Sequence, residues 1–210
     1  MKLIVANWKM NPETLVKAKK LFNRVKSLNA VICPPFVYLS LFDYKFLGAQ
    51  DVFFESGAHT GEISVSMLKD LTVKYVIVGH SERRALGETD KMIEMKVNTC
   101  LKAGLKVILC VGEKKGEDPG KVVLRQLRGF NSKRIIIAYE PVWAIGTGNS
   151  CSKEKANKVL KIIRKKFNNK VLYGGSVNSK IVKNYSSFDG LLVGGASLDA
   201  KEFIKLVKNA

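Results

Sequence analysis

Tyr75-Val76-Ile77-Val78 is an unbroken apolar run that stops at Gly79-His80-Ser81-Glu82-Arg83-Arg84. A run without polar alternation suits a strand covered on both faces, because an exposed face would place a polar residue at every second position. Downstream, Glu88 to Ala103 carries Met92, Met95, Val97, Cys100 and Leu101 at helical spacing, and Gly104 follows as a helix-closing residue. A second apolar run, Lys106–Cys110, comes next. Strand, helix and strand in this order form a parallel βαβ unit.

The unit recurs along the chain. Apolar runs at Leu3–Ala6, Ala30–Cys33, Phe46–Ala49, Tyr75–Val78, Lys106–Cys110, Arg134–Ala138, Lys170–Leu172 and Gly190–Val193 give eight expected strands. Between them, Pro12 to Leu28 places Leu15, Ala18, Leu21, Phe22 and Val25 on one helical face, with Pro12 suited to the first turn. Ser152 to Phe167 does the same with Ala156, Val159, Leu160, Ile163 and Phe167, and Ser152 is its expected N-cap. Eight units with right-handed crossovers predict closure into an α/β, parallel (β/α)8 barrel; an open doubly wound sheet typically has five or six strands. Such barrels typically take about 250 residues and rarely fewer than about 200, so this chain of 210 must use shortened helices and loops. No Ser/Pro-rich linker divides it, and residues 1–210 are expected to form a single domain.

Composition narrows the class. At 46% hydrophobic the chain is too apolar for disorder, and 17 Gly, 5 Pro and 4 Cys exclude collagen-like, mucin-like and disulfide-scaffold readings. Val31–Phe42 is too short to span a bilayer and is broken by Pro34 and Pro35, so no membrane segment is expected. The first ten residues lack the pattern of a signal peptide, and the cysteines form no CxxC pair. The expected location is cytoplasmic. Lys+Arg 36 against Asp+Glu 18 leaves a net charge of +18. Most of it is Lys on helix-like segments, such as Lys17, Lys19, Lys20 and Lys26, which reads as a solvated surface rather than a specific nucleic-acid site.

In a barrel of this kind the chemistry gathers at the carboxyl ends of the strands. After the first come Asn7, Trp8 and Lys9, where Lys9 is either a fixed charge for an anion or a surface residue beside a packed Trp. After the fourth, His80 is either catalytic or a satisfied structural imidazole, and Glu82 with Arg83 or Arg84 could be an ion pair tying loops. After the sixth, Glu140 leaves a buried strand, which is costly without a partner or a function. Pro141 to Gly148 then reads as a mobile lid, or as a fixed turn packed by Trp143 and Ile145. Gly174-Gly175-Ser176 and Gly194-Gly195-Ala196-Ser197 follow the last two strands, where backbone N–H groups can approach a phosphate. His59 and His80 are not at metal-ligand spacing, and no Walker or dinucleotide fingerprint occurs.

Asn7-Trp8-Lys9-Met10-Asn11, Tyr75 to Arg84, Ala138 to Gly148, Tyr173-Gly174-Gly175-Ser176-Val177 and Leu192 to Leu198 together resemble the triosephosphate isomerase family, in order and over the whole chain. The resemblance implies a TIM barrel and reversible isomerisation of dihydroxyacetone phosphate and D-glyceraldehyde 3-phosphate, in glycolysis and gluconeogenesis, with no metal and no cofactor. It implies Glu140 as the base, His80 as the neutral electrophile, and Lys9 and Asn7 as groups stabilising the enediolate. Gly146, Ser176, Gly194 and Gly195 would join Asn7 and Lys9 in holding the substrate, a small phosphorylated triose, and Glu82 would support the electrophile. The loop Gly57-Ala58-His59-Thr60-Gly61-Glu62 resembles the family's protruding interface loop, which implies a homodimer through Thr60. The chain departs from the family at His59, at the lid end Asn149-Ser150-Cys151, and in a compressed stretch from Val111 to Phe130. Another phosphate-binding barrel enzyme would need different residues at the strand ends. A basic nucleic-acid-binding barrel without activity would not need Asn7, Lys9, His80 and Glu140 together.

Overall fold

The protein is described by a computed structural model, which covers residues 2–146 and 150–210. Eight parallel strands form one sheet: β1 (Leu3–Asn7), β2 (Val31–Cys33), β3 (Gly48–Ala49), β4 (Tyr75–Val78), β5 (Lys106–Val111), β6 (Ile135–Tyr139), β7 (Val171–Tyr173) and β8 (Gly190–Val193). Their hydrogen-bonded order is β2-β1-β8-β7-β6-β5-β4-β3. The two ends of that order meet at the parallel bridge Ile32↔Leu47, where the Ile32 N–H donates to the Phe46 carbonyl at 3.1 Å. The sheet therefore curls into a nearly closed barrel in which each outer edge covers the other. All eight expected strands are present, with ends displaced by at most two residues.

Alternate residues of each strand point to opposite sides, and both sides are apolar. Val5, Val31, Cys33, Ile77, Ile108, Cys110, Ile136, Ala138, Leu172 and Leu192 form one buried cluster drawn only from strands, which fills the barrel interior. Ile4, Ala6, Ile32, Val76, Val78, Val107 and Leu109 belong to the second cluster, between sheet and helices.

The helices are α1 (Leu15–Val25), α2 (Phe36–Leu39), α3 (Val65–Asp70), α4 (Ser81–Ala85), α5 (Asp90–Lys102), α6 (Pro119–Gln126), α7 (Lys153–Arg164) and α8 (Ala200–Asn209). None exceeds the 13 residues of α5, as a short barrel requires. Ser152 caps α7 by accepting the Lys155 N–H at 3.3 Å, and Gly104 follows α5 at φ 84° with its N–H on the Leu101 carbonyl.

Two helix readings need correction. α1 starts at Leu15 rather than near Pro12: Thr14 Oγ1 accepts the Lys17 N–H and makes the cap, while the Pro12 carbonyl accepts the Tyr38 hydroxyl instead of a helical N–H. In α5 the expected Val97 and Cys100 are buried and Leu101 packs against the core, but Ile93 and Lys96, rather than Met92 and Met95, complete the buried face. Lys96 is buried because its Nζ meets Asp51 Oδ1 at 2.7 Å and also the Glu88 carboxylate, and Arg83 Nε lies 3.0 Å from both acids. Two cations and two anions in one cluster let a lysine occupy a core position that its charge alone would forbid.

All four cysteines are free and buried. Burial raises the thiol of Cys151 to about 11 and that of Cys100 to about 12, and it raises Cys33 and Cys110 as well. A dithiobis(nitrobenzoate) assay at pH 8 should therefore find these thiols unreactive in the native protein and reactive in denaturant. Because the folded chain holds thiol protons that the unfolded chain releases near the ordinary value of 9.0, this contribution to stability is complete below about pH 9. It declines as pH rises toward 11, which urea midpoints across that window will read.

Candidate active site

Five strand ends supply the site. Asn7 closes β1, His80 stands two residues past β4, and Glu140, Gly174 and Gly194 directly follow β6, β7 and β8. The barrel rim brings these remote residues around one cavity of about 200 Å³. All the residues singled out as catalytic or substrate-binding line it: Asn7, Lys9, His80, Glu140, Gly146, Ser176, Gly194 and Gly195.

Glu140 is only 2% exposed, and the barrel fixes both its backbone and its carboxylate. Its N–H donates to the Val111 carbonyl at 2.8 Å, and the neighbouring Tyr139 carbonyl accepts the Gly174 N–H at 2.8 Å. Its Oε2 accepts the Ser81 N–H at 3.2 Å, and its Oε1 lies 3.3 Å from His80 Nε2. Two glycines make room for this arrangement. A Cβ on Gly112 would lie 1.8 Å from the Glu140 carbonyl oxygen, and one on Gly174 would lie 2.8 Å from Glu140 Cγ. Gly112→Ala should therefore cost about 3 kcal/mol or more of stability, because the obstruction is backbone held in the barrel. A urea midpoint equal to that of the unmodified chain would count against this packing.

His80 caps α4. Its Nδ1 accepts the Glu82 N–H at 3.2 Å, and since a backbone N–H can only donate, Nδ1 must present a lone pair. The ring proton then sits on Nε2, facing the cavity and Glu140.

Lys9 has a left-handed backbone, φ 53°, a conformation that costs a non-glycine residue about 1 kcal/mol or more. Three hydrogen bonds hold it there or beside it. The Lys9 N–H donates to Asn7 Oδ1 at 3.0 Å, and Gln50 Nε2 donates to the Lys9 carbonyl at 2.8 Å and to the Cys33 carbonyl at 2.9 Å. The Lys9 ammonium lies 2.6 Å from Glu82 Oε1. This corrects the expected pairing of Glu82 with Arg83 or Arg84. Arg83 turns to Asp51 and Glu88, and Arg84 turns to Asp90 at 2.6 Å and to the carbonyls of Gly79 and Cys110.

On the opposite wall, Ser176 Oγ donates to the Ala144 carbonyl at 2.6 Å, and Ser197 Oγ donates to the Gly194 carbonyl at 2.7 Å. Both hydroxyls shape the loops and leave the glycine backbone facing the cavity. Among the described residues, no backbone carbonyl outside the strand ladders accepts the N–H of Ser176 or Gly194.

The segment read as a lid is held at both flanks. Val142–Ala144 form a 3-10 turn whose Trp143 Nε1 donates to Glu113 Oε1 at 2.8 Å, and the Tyr139 hydroxyl lies 3.2 Å from both Glu113 oxygens. Burial, reinforced by the Glu113 charge, raises the Tyr139 hydroxyl and keeps it a donor. On the far side, Cys151 donates its N–H to the Tyr173 hydroxyl at 3.3 Å and its carbonyl accepts the Tyr185 hydroxyl at 2.6 Å. Thr147, Gly148 and Asn149 lie outside the described residues, so the lid reading and the altered end at Asn149 fall partly beyond them.

Sequence reasoning missed Gln50, Glu113 and Gly112. Gly112 and Glu113 directly follow a strand and could have been found by the rule that exposed Glu140. Gln50 directly follows β3 and falls under the same rule; what the sequence does not show is that its side chain turns to the Lys9 carbonyl. Among the described residues, no group of three or more His, Cys, Asp or Glu could hold a metal ion.

Comparison with known proteins agrees with this geometry. A family model described as Triosephosphate isomerase matches residues 2–210. A triosephosphate isomerase of Dehalococcoides mccartyi is 42% identical over 245 aligned positions, covering 99% of this chain and 96% of the relative. One from Synechocystis sp. is 41% identical over 98% of this chain and 97% of its own, and one from Thermoanaerobacter pseudethanolicus is 43% identical over 98% of each. The first alignment is longer than this chain, so that relative carries residues the present chain lacks.

Proposed function

The chain belongs to the triosephosphate isomerase family, and from that premise we propose how its residues divide the family's reaction. That reaction interconverts dihydroxyacetone phosphate and D-glyceraldehyde 3-phosphate, a step of glycolysis and gluconeogenesis. A proton must leave a carbon next to a carbonyl and return to the neighbouring carbon, while the oxygens pass through an enediolate. This calls for one base, donors aimed at the developing oxyanion, and a grip on the phosphate away from the reacting carbons.

Glu140 is the base. Its carboxylate leaves its contact with His80 Nε2 to take the carbon-bound proton, and then delivers that proton to the adjacent carbon. His80, with its proton on Nε2, donates to the substrate oxygens, and Lys9 and Asn7 add positive charge and an amide donor. Ser81 and Glu82 act through others, Ser81 by orienting the carboxylate and Glu82 by holding both Lys9 and His80. The phosphate binds to backbone N–H groups at Gly146, Ser176, Gly194 and Gly195. This is proton-transfer chemistry, which calls for no metal and no organic cofactor. The observation that carries the reading is the 3.3 Å approach of Glu140 Oε1 to His80 Nε2 in a cavity lined by all eight residues. A coupled assay with glyceraldehyde 3-phosphate should show isomerase turnover; specific duplex binding with no turnover would support the basic-barrel alternative instead.

The chain works as a homodimer through the loop around Thr60, in a reducing cytoplasm, as one barrel domain spanning residues 1–210. The pairing is supported by Met10 and Leu86, large apolar side chains that are 90% and 79% exposed beside the segments carrying Lys9 and His80. Within the loop, His59 Nε2 lies 3.1 Å from Glu55 and its ring centre lies 4.6 Å from that of Phe53, so His59 ties the loop to the segment before it. Size-exclusion chromatography should give the mass of two chains, and the double variant Met10→Lys/Leu86→Lys should give that of one. An unmodified protein that elutes as a single chain at all concentrations would remove the dimer. The four free, buried cysteines support the reducing compartment, and no helix of the described residues is long and apolar enough to cross a membrane.

A further inference from the structure

We propose that the cleft between the loop after β5 and helix α7 is a second ligand site, for a small molecule that joins an aromatic ring to an anionic group. The loop Lys114–Asp118 and the start of the 8-residue α6 line it on one side, and Lys155, Lys158, Val159 and Ile162 of α7 line it on the other. It encloses about 650 Å³, more than the catalytic pocket and within the range of about 300–1,000 Å³ typical of small-molecule sites. The two cavities share no lining residue, so an occupant here would leave the triose site open.

The walls select the ligand. Tyr139, Trp143, Val159 and Ile162 give an apolar, partly aromatic surface. The half-buried Trp143 ring is fixed by its hydrogen bond to Glu113, so a planar ligand meets a pre-formed stacking face. Lys114, Lys115, Lys155 and Lys158 stand exposed around the mouth, with Lys155 Nζ 5.8 Å from the centre of the Trp143 ring. Three carboxylates stand among them, each hydrogen-bonded to a neutral donor, and four lysines against three acids leave the lining net positive by one. Glu113 receives Trp143 and Tyr139, Glu117 accepts the Lys114 N–H at 2.7 Å, and Asp118 accepts the Lys121 N–H at 2.8 Å. The mouth thus attracts an anion while the interior favours a ring. A simple anion would forgo the walls, and a neutral aromatic would forgo the lysines.

The chain has two tryptophans, and Trp8 is fully buried elsewhere, so Trp143 is a local fluorescent reporter. Titration of the intact protein with 2-naphthoate should quench its emission saturably, with the neutral analogue 2-naphthylmethanol binding about fivefold or more weakly. Inorganic phosphate at concentrations that inhibit isomerisation should not displace the naphthoate. The double variant Lys155→Glu/Lys158→Glu, both on the exposed side of α7, should keep basal isomerase activity and lose about tenfold in naphthoate affinity, measured by calorimetry. Absence of saturable binding, affinity unchanged in the charge-reversed variant, or displacement by phosphate would each overturn the site. A protein that proves inactive as an isomerase yet binds naphthoate in this pattern would overturn the functional reading and leave this site standing.

Discussion

Glu140→Gln should lower turnover by about 10³- to 10⁴-fold, the upper range of what a positioned general base contributes. The amide keeps the size and planarity of the carboxylate, so the packing allowed by Gly112 and Gly174 survives. What disappears is the capacity to accept a proton from carbon. Phosphate binding, proposed for the backbone N–H groups at Gly146, Ser176, Gly194 and Gly195, should change little. Measured together, kcat should collapse while the affinity for a phosphate-bearing ligand stays within a few fold. Loss of that affinity with retained turnover per bound substrate would remove Glu140 from the role of base.

Lys9→Ala should reduce kcat/KM by about 10²- to 10³-fold, with both kcat and KM affected. The ammonium is the one fixed cation among the residues assigned to the cavity, and its loss removes the charge proposed to serve the substrate and the enediolate alike. The scaffold invests in its placement: a left-handed backbone at φ 53° is held by Asn7 and Gln50. Lys9→Arg should rescue little, since a planar guanidinium is larger and distributes its charge differently. Wild-type kinetics in Lys9→Ala would show that the ion pair with Glu82 is the residue's whole purpose.

The barrel was legible because both sides of each strand are buried, which leaves continuous apolar runs such as Tyr75–Val78 that sequence marks clearly. The candidate site residues Asn7, His80 and Glu140 stood out for the same topological reason, since each lies at or within two residues of a strand end. Contacts made across the barrel were not. Gln50 reaches Lys9 only because β2 and β3 close the seam, and Glu113 gains its partners only because Tyr139 and Trp143 arrive from the next unit. The buried Lys96 defeated the amphipathic reading of α5, since its partners Asp51 and Glu88 come from outside that helix. The start of α1 lies later than expected because Thr14 makes the cap, which leaves Pro12 ahead of the helix instead of in its first turn.

The central claim is that one carboxylate moves a carbon-bound proton of a triose phosphate held at the barrel rim. Isomerisation in deuterium oxide, followed by proton NMR, tests it most directly. Deuterium should enter the product at the carbon next to the carbonyl, and Glu140→Gln should abolish that incorporation together with turnover. Product that forms without solvent deuterium, or exchange that persists unchanged in the variant, would contradict the account.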